Sequence, residues 1–230
     1  MSVIILRKDF CLINQKCTKC KRPLSKGIGF VIQDDEYKIE IVGPKCALNA
    51  AQVNSLAGIP DFTKILELSD RPKDMDTEVN TSNHLISLKN SSTSLDKSIA
   101  KEYLLLRQEL LHDEFNVKHN FLNECYQKHL QGSLSIIDIE RVTFFELKAP
   151  QNLRYDNLMK CYVWDRWIDL VLARMKSENS SHIAQSKDPS GFLESVQHQL
   201  RTRKRLTSGQ VIALRKFGRA LPVIKLDWSQ

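Results

Sequence analysis

Two cysteines two residues apart, Cys17-Thr18-Lys19-Cys20, with Cys11 before them and Gly43-Pro44-Lys45-Cys46 after, restrict the N-terminal fold more than any other feature of this chain. The spacing C-x5-C-x2-C-x25-C supplies four thiolates, a complete set for tetrahedral zinc. The short gap lets both knuckle sulfurs point at one ion, so the chain must reverse to bring Cys46 back to it. Cys46 then stands at the start of a helix, where backbone N–H groups and the helix dipole favour a thiolate. Four protein sulfurs leave no position for a reacting molecule, so the expected Zn²⁺ is structural. The competing reading is four ordinary buried thiols.

The reversal is legible. Phe30-Val31-Ile32 and the alternating Tyr37-Lys38-Ile39-Glu40-Ile41 flank Asp34-Asp35, the pattern of a β-hairpin. Gly43-Pro44 ends the second strand, proline suits a first helical turn, and Ala47 to Ala57 is rich in helix formers with Gly58 as a left-handed stop. Knuckle, hairpin and helix make an N-terminal zinc-finger domain over 1–68.

Cys17 to Leu24, C-x-x-C-x-R-P-L, together with Gly43 to Ala47, G-P-x-C-A, resembles a small zinc-finger family of phage, plasmid and other mobile-element proteins. There the finger is appended to helicases, nucleases and uncharacterised proteins and is read as a nucleic-acid or partner-docking element. The resemblance covers about 30 of the 230 residues and implies that Cys17, Cys20 and Cys46 are metal ligands. This chain departs from the family in inserting the whole hairpin between knuckle and Gly-Pro, and in carrying Val42 where a further Gly-containing turn is common. Cys11 is our choice of fourth ligand.

The rest of the chain reads as mainly helical, making the whole an α+β protein. A polar linker spans 69–94, with His84 to Leu88 as its one apolar stretch. A helical domain spans 95–178: Ile99, Tyr103, Leu106 and Leu110, then Phe121, Leu122, Cys125 and Tyr126, then Leu158, Met159, Tyr162, Val163, Trp167, Val171 and Met175 recur at helical steps. Ser135 to Val142 is β-branched yet opens with a capping-like Ser-x-x-Asp, so helix and strand both stand open. In 179–230, after a polar stretch, Asp188-Pro189 starts a helix with Phe192, Leu193, Val196 and Leu200 on one side, ending near Arg205. Thr207-Ser208-Gly209-Gln210 is a capping box that starts another at once, with a Leu206/Val211 staple. Phe192 to Ala213, with its Leu-Thr-x-x-Gln helix start, is similar to short C-terminal segments of mobile-element replication and recombination proteins.

Charge separates this tail from the rest. Arg201, Arg203, Lys204, Arg205, Arg215, Lys216, Arg219 and Lys225 fall between Ser195 and Leu226 with no acid, so a chain of net charge +7 is −1 elsewhere. A one-signed patch of this kind is what a polyanion feels, and solubility alone would tolerate mixed signs. If the helix pair is a helix-turn-helix variant, its second helix enters a groove with Arg215 and Arg219 near phosphates or base edges. Lys16, Lys19, Lys21, Arg22 and Lys26 crowd the knuckle and either grip phosphates or offset a four-thiolate zinc site of about −2.

These features lead to a zinc-stabilised, non-enzymatic nucleic-acid-binding protein of a mobile element, with DNA favoured over RNA. An adaptor or inhibitor acting on an acidic protein partner is the alternative. A minor third reading is a metal-dependent nuclease built on Asp34, Asp35 and the Glu36-x-Lys38 triplet. No apolar run nears the roughly 20 residues that cross a bilayer, and the first residues lack a secretory cleavage site, so the expected location is the cytosol of a bacterial host. Cys125/His129, His112/His119, Trp164, Trp167 and Trp228 are read as ordinary core or surface residues.

Overall fold

A computed structural model describes residues 3–12, 15–24, 27–63, 92–178 and 190–220. The polar linker up to residue 91 with His84–Leu88, the stretch 179–187, the Asp188-Pro189 cap, Lys26, Lys225 and Trp228 lie outside them. The chain is mixed: a three-stranded antiparallel sheet at the N-terminus, then helices. It divides into two compact units, one of Met1–Glu67 with Met159–Gln230, the other of Leu68–Leu158.

In the first unit β1 (Val3–Phe10), β2 (Ile28–Asp34) and β3 (Ile39–Val42) run in spatial order, β2 central. The hairpin expected from the sequence is present, with Phe30 opposite Val42 and Ile32 opposite Glu40. Asp34 shapes its turn by accepting the amides of Glu36 (3.0 Å) and Lys38 (2.9 Å) on its side chain. Gly29 is demanded by packing, since a Cβ there would lie 2.6 Å from Ile41 Cγ2. Strand β1 was not foreseen. Its outer edge is covered by 60–62, where Lys8 N donates to Pro60 O (2.8 Å) and Phe62 N to Lys8 O (3.0 Å).

A register shift between Ile5 and Arg7 decides which way β1 side chains point. Ile5 stands opposite Ile32, whereas beyond the shift it is Lys8 that stands opposite Phe30, and Arg7 and Asp9 oppose Val31 and Gly29. One face of the sheet thus carries Phe30, Ile32 and Val42, packed with Ala47, Cys17 and the half-buried Leu24, Cys46 and Ala50. Arg7 and Asp9 belong to the other face.

Helix α1 (Pro44–Ala51) has proline in its first turn as expected, but stops earlier than the composition suggested. Gln52 takes the left-handed cap position (φ 54°), and Gly58, although left-handed (φ 80°), lies in the loop beyond. In the other unit α2 (Ser92–Leu105) continues through a π-helical turn, Leu106–Leu110, to α3 (His112–Phe115), α4 (Asn120–Leu130) and α5 (Ile136–Lys148). The open choice at 135–142 falls to helix: Ser135 Oγ accepts Asp138 N while Asp138 Oδ2 accepts Ser135 N, a reciprocal capping box that outweighs β-branching. The π turn buries Arg107, which donates to Val117 O (2.7 Å) and to the Tyr103 hydroxyl (2.8 Å).

Helix α6 (Tyr155–Glu178) spans the division between units. Besides the seven apolar positions expected, Cys161, Trp164, Ile168, Leu170 and Leu172 are buried, so it is covered on more than one side. Trp164 and Trp167 pack edge to face, as core residues. Helices α7 (Ser190–Arg203) and α8 (Ser208–Ala220) complete the first unit. Leu193, Val196 and Leu200 are buried, Phe192 is not, and the Thr207/Gln210 capping box is formed.

Candidate metal centre

Residues 15 to 24 form a small hairpin of their own. Leu24 N donates to Gln15 O (2.8 Å), Cys17 N to Arg22 O (2.9 Å) and Lys21 N back to Cys17 O (2.9 Å), with Lys21 held left-handed at φ 60°. Thr18 N donates to Ile41 O (3.0 Å), tying the knuckle to β3. Because β3 leads through Gly43 straight into α1, Cys46 returns to Cys17 and Cys20. The three sulfurs lie within 4.8 Å of one another. At a zinc–sulfur distance of about 2.3 Å, two corners of a tetrahedron are roughly 3.8 Å apart, so small side-chain shifts bring all three onto one ion.

The three thiols sit in different electrostatic surroundings. Burial acts against a thiolate at Cys17, but the backbone N–H groups of Cys20, Gly43 and Lys19 and the Cys20 thiol point at its sulfur and bring it down to about 7. Burial and then the neighbouring Cys20 and Cys17 sulfurs push the Cys46 thiol up to about 11, the behaviour of crowded donors that a cation would relieve. Cys17 is buried, Cys46 half-buried and Cys20 exposed.

Cys11 is not part of this group. Its amide donates to Gly27 O (2.9 Å), extending the β1–β2 ladder by one residue, so it follows Arg7 and Asp9 onto the face turned away from Cys17. Consistently, burial and then the Asp9 charge raise its thiol to about 11. The irregularity in β1 that rotates Cys11 away is a matter of cross-strand register, which cysteine spacing does not encode.

The basic residues divide by what they touch. Lys19 is 2.8 Å from Glu40, which also takes Lys38 at 3.1 Å, and these two ammonium groups hold the Glu40 carboxyl down to about 2. Lys16, Lys21 and Arg22 are exposed. In the tail, Arg201 is turned inward onto Asp165, with Nε and Nη2 at 2.7 and 3.1 Å from its two oxygens. Arg215 is half-buried, Lys204 forms the left-handed stop of α7 (φ 55°), and Arg203, Arg205 and Lys216 are exposed. Arg219 lies on α8.

The helix pair is not a helix-turn-helix. Phe192, in the first turn of α7, stacks on Phe217 near the end of α8 with centroids 6.5 Å apart. Arms of about 15 Å crossing at right angles would leave those ends roughly 20 Å apart, so the helices return alongside one another as a hairpin. Glu36 and Lys38 sit exposed on the β-hairpin tip, with Lys38 paired to Glu40.

One surface was not foreseen. Ile136, Ile137, Phe144 and Leu147 on α5 are exposed, and Phe144 borders a groove of about 560 Å³ with Phe121, Arg141 and Lys148. Their recurrence at helical spacing is visible in the sequence, but a helix face that faces water reads the same as one that faces a core. Among the described residues no helix is long and apolar enough to cross a membrane. No protein-family model, curated protein or solved structure matches the chain.

Proposed function

We propose that this chain is a zinc-stabilised, non-enzymatic protein of a mobile element that binds nucleic acid, DNA in preference to RNA, through the basic face of the α7–α8 hairpin. One observation carries the reading: Arg203, Arg205 and Lys216 are exposed, and among the described residues no ion pair engages them, in a 32-residue stretch that contains no acid. Lys21 and Arg22 at the knuckle are exposed as well. The three-cysteine group supports a thiophilic metal, and the resemblance of its flanking residues to the mobile-element finger supports zinc with a stabilising role. A helical hairpin offers cations to phosphates without inserting a helix into a groove, so the binding depends on charge more than on sequence.

The test is titration of labelled duplex and single-stranded DNA and RNA at several salt concentrations. Affinity falls steeply with salt, with a log–log slope of about −0.9 for each duplex phosphate neutralised. Binding indifferent to salt, or unchanged in Arg203→Ala/Arg205→Ala/Lys216→Ala, refutes the reading.

The exposed α5 face favours a second reading, an adaptor or inhibitor that docks on another protein. Capture of a direct partner that survives nuclease treatment of the lysate and is lost in Phe144→Glu would support it over the first.

A further inference from the structure

A tetrahedral ion needs a fourth donor, and the register of β1 withholds Cys11 from the position that its spacing suggested. Burial orders the three sulfurs from inside to outside: Cys17 within the apolar cluster, Cys46 at its margin and Cys20 in solvent. Among the described residues no other cysteine, histidine or carboxylate joins the three, and the exposure of Cys20 opens the group to a donor from solvent. Exposed cations adjoin the ligands along the chain: Lys21 and Arg22 follow Cys20 directly, and Lys45 precedes Cys46. Among the described basic residues at the knuckle, Lys19 is already committed to an acid, Glu40.

We propose that the Cys17–Cys20–Cys46 centre holds its metal through three thiolates of this chain and takes its fourth donor from outside, as a thiolate. The inference rests on the metal reading above and makes the centre a binding site in place of a closed staple. A divalent ion with three thiolates carries −1 and a fourth makes −2, which Lys21, Arg22 and Lys45 offset; a neutral donor gains nothing from them. The incoming thiol forms one metal–sulfur bond and passes its proton to the buffer, and nothing is oxidised or reduced. The donor is either a free small thiol or a cysteine of a second copy of the chain, and the two share this chemistry.

The experiment loads the full chain with one equivalent of Co²⁺, whose thiolate charge-transfer band scales with the number of coordinating sulfurs. With β-mercaptoethanol as probe, the wild-type band gains about a third in intensity as three sulfurs become four. Cys11→Ser gives the same spectrum and the same gain. Lys21→Glu/Lys45→Glu needs several-fold more thiol for half the effect. A band that weakens when the protein alone is diluted and recovers with the probe assigns the donor to a second copy. Cobalt uptake with a band insensitive to both thiol and dilution, or a loss of about a quarter in Cys11→Ser, overturns this inference and leaves the metal reading standing. Failure of the wild type to take up cobalt overturns both. The thiol response is read on the wild type, so a Cys11→Ser chain that misfolds does not remove the test.

Discussion

The Tyr162 hydroxyl donates to Asp9 Oδ1 at 2.7 Å, joining α6 to β1 across 153 positions of the chain, with both side chains buried. Asp9 accepts from three directions, since Arg7 Nε lies 2.8 Å from its other oxygen and Phe10 N 2.8 Å from Oδ1. Burial and then the Asp9 charge raise the Tyr162 hydroxyl well above its ordinary range, so it remains a donor. Phe62 packs edge-on against the Tyr162 ring, closing the apolar part of the same contact.

Removing one donor from this arrangement should cost less than removing the acceptor. Tyr162→Phe is expected to lower unfolding free energy by about 1–2 kcal/mol, since Asp9 keeps its other donors. Asp9→Ala is expected to cost about 3 kcal/mol or more, because Arg7 and Tyr162 both lose their carboxylate. Urea unfolding of the two variants measures the order, and equal costs would contradict it.

Metal uptake should follow the geometry, not the four-cysteine spacing. Cys17→Ser, Cys20→Ser and Cys46→Ser each lower zinc affinity by about 100-fold or more, whereas Cys11→Ser binds one zinc with unchanged affinity. Competition with a chromophoric chelator reads these affinities. Stripping the wild type of metal should lower its thermal midpoint, because the sulfurs anchor knuckle, β3 and α1 to one apolar cluster.

The basic tail should split into two kinds of residue. Asp165 is buried and Arg201 meets it with two N–H groups, so Arg201→Ala is expected to destabilise by about 2–3 kcal/mol. Arg203→Ala, Arg205→Ala and Lys216→Ala should leave stability within about 0.5 kcal/mol and each reduce the salt slope of DNA binding by about 0.9. Unfolding and anisotropy titrations on the same four variants separate the two roles.

The cap of α5 sets an acid limit. The Lys128 ammonium, 2.8 Å away, and the Ser135 hydroxyl and amide hold the Asp138 carboxyl down to about 2, below its unfolded value. A depressed carboxylate stabilises the fold fully above its unfolded pKa, and that contribution is lost as pH falls through about 2. Helical circular dichroism between pH 5 and about 1.5 should therefore show the acid transition of Lys128→Ala beginning at higher pH than in the wild type. Ser135→Ala should cost about 1 kcal/mol at neutral pH.

Much of this was readable because it is local. Asp34 followed by its turn, Gly43-Pro44 before a helix, Ser135 three residues from Asp138 and Thr207 three from Gln210 each make their bonds within a few positions, and each forms in the fold. Where local signals failed, a longer contact had intervened. Ala47 to Ala57 contains helix formers to its end, yet the chain leaves the helix at Gln52, and Leu56 and Ile59 go to the apolar cluster beside the sheet. Phe192 matches the spacing of a buried stripe but turns to Phe217, a partner supplied by the next helix.

The sequence by itself determined that Cys17, Cys20 and Cys46 meet, because a knuckle, a hairpin and a Gly-Pro turn are short-range constructions that each fix the direction of the chain. Only the tertiary structure decided that Cys11 does not join them, that Arg201 faces inward and that α7 and α8 form a hairpin. Those outcomes depend on strand register and on acids and aromatic rings held by other elements. A one-residue shift in register exchanges the faces of a strand without altering any local preference, so spacing along the chain carries no trace of it.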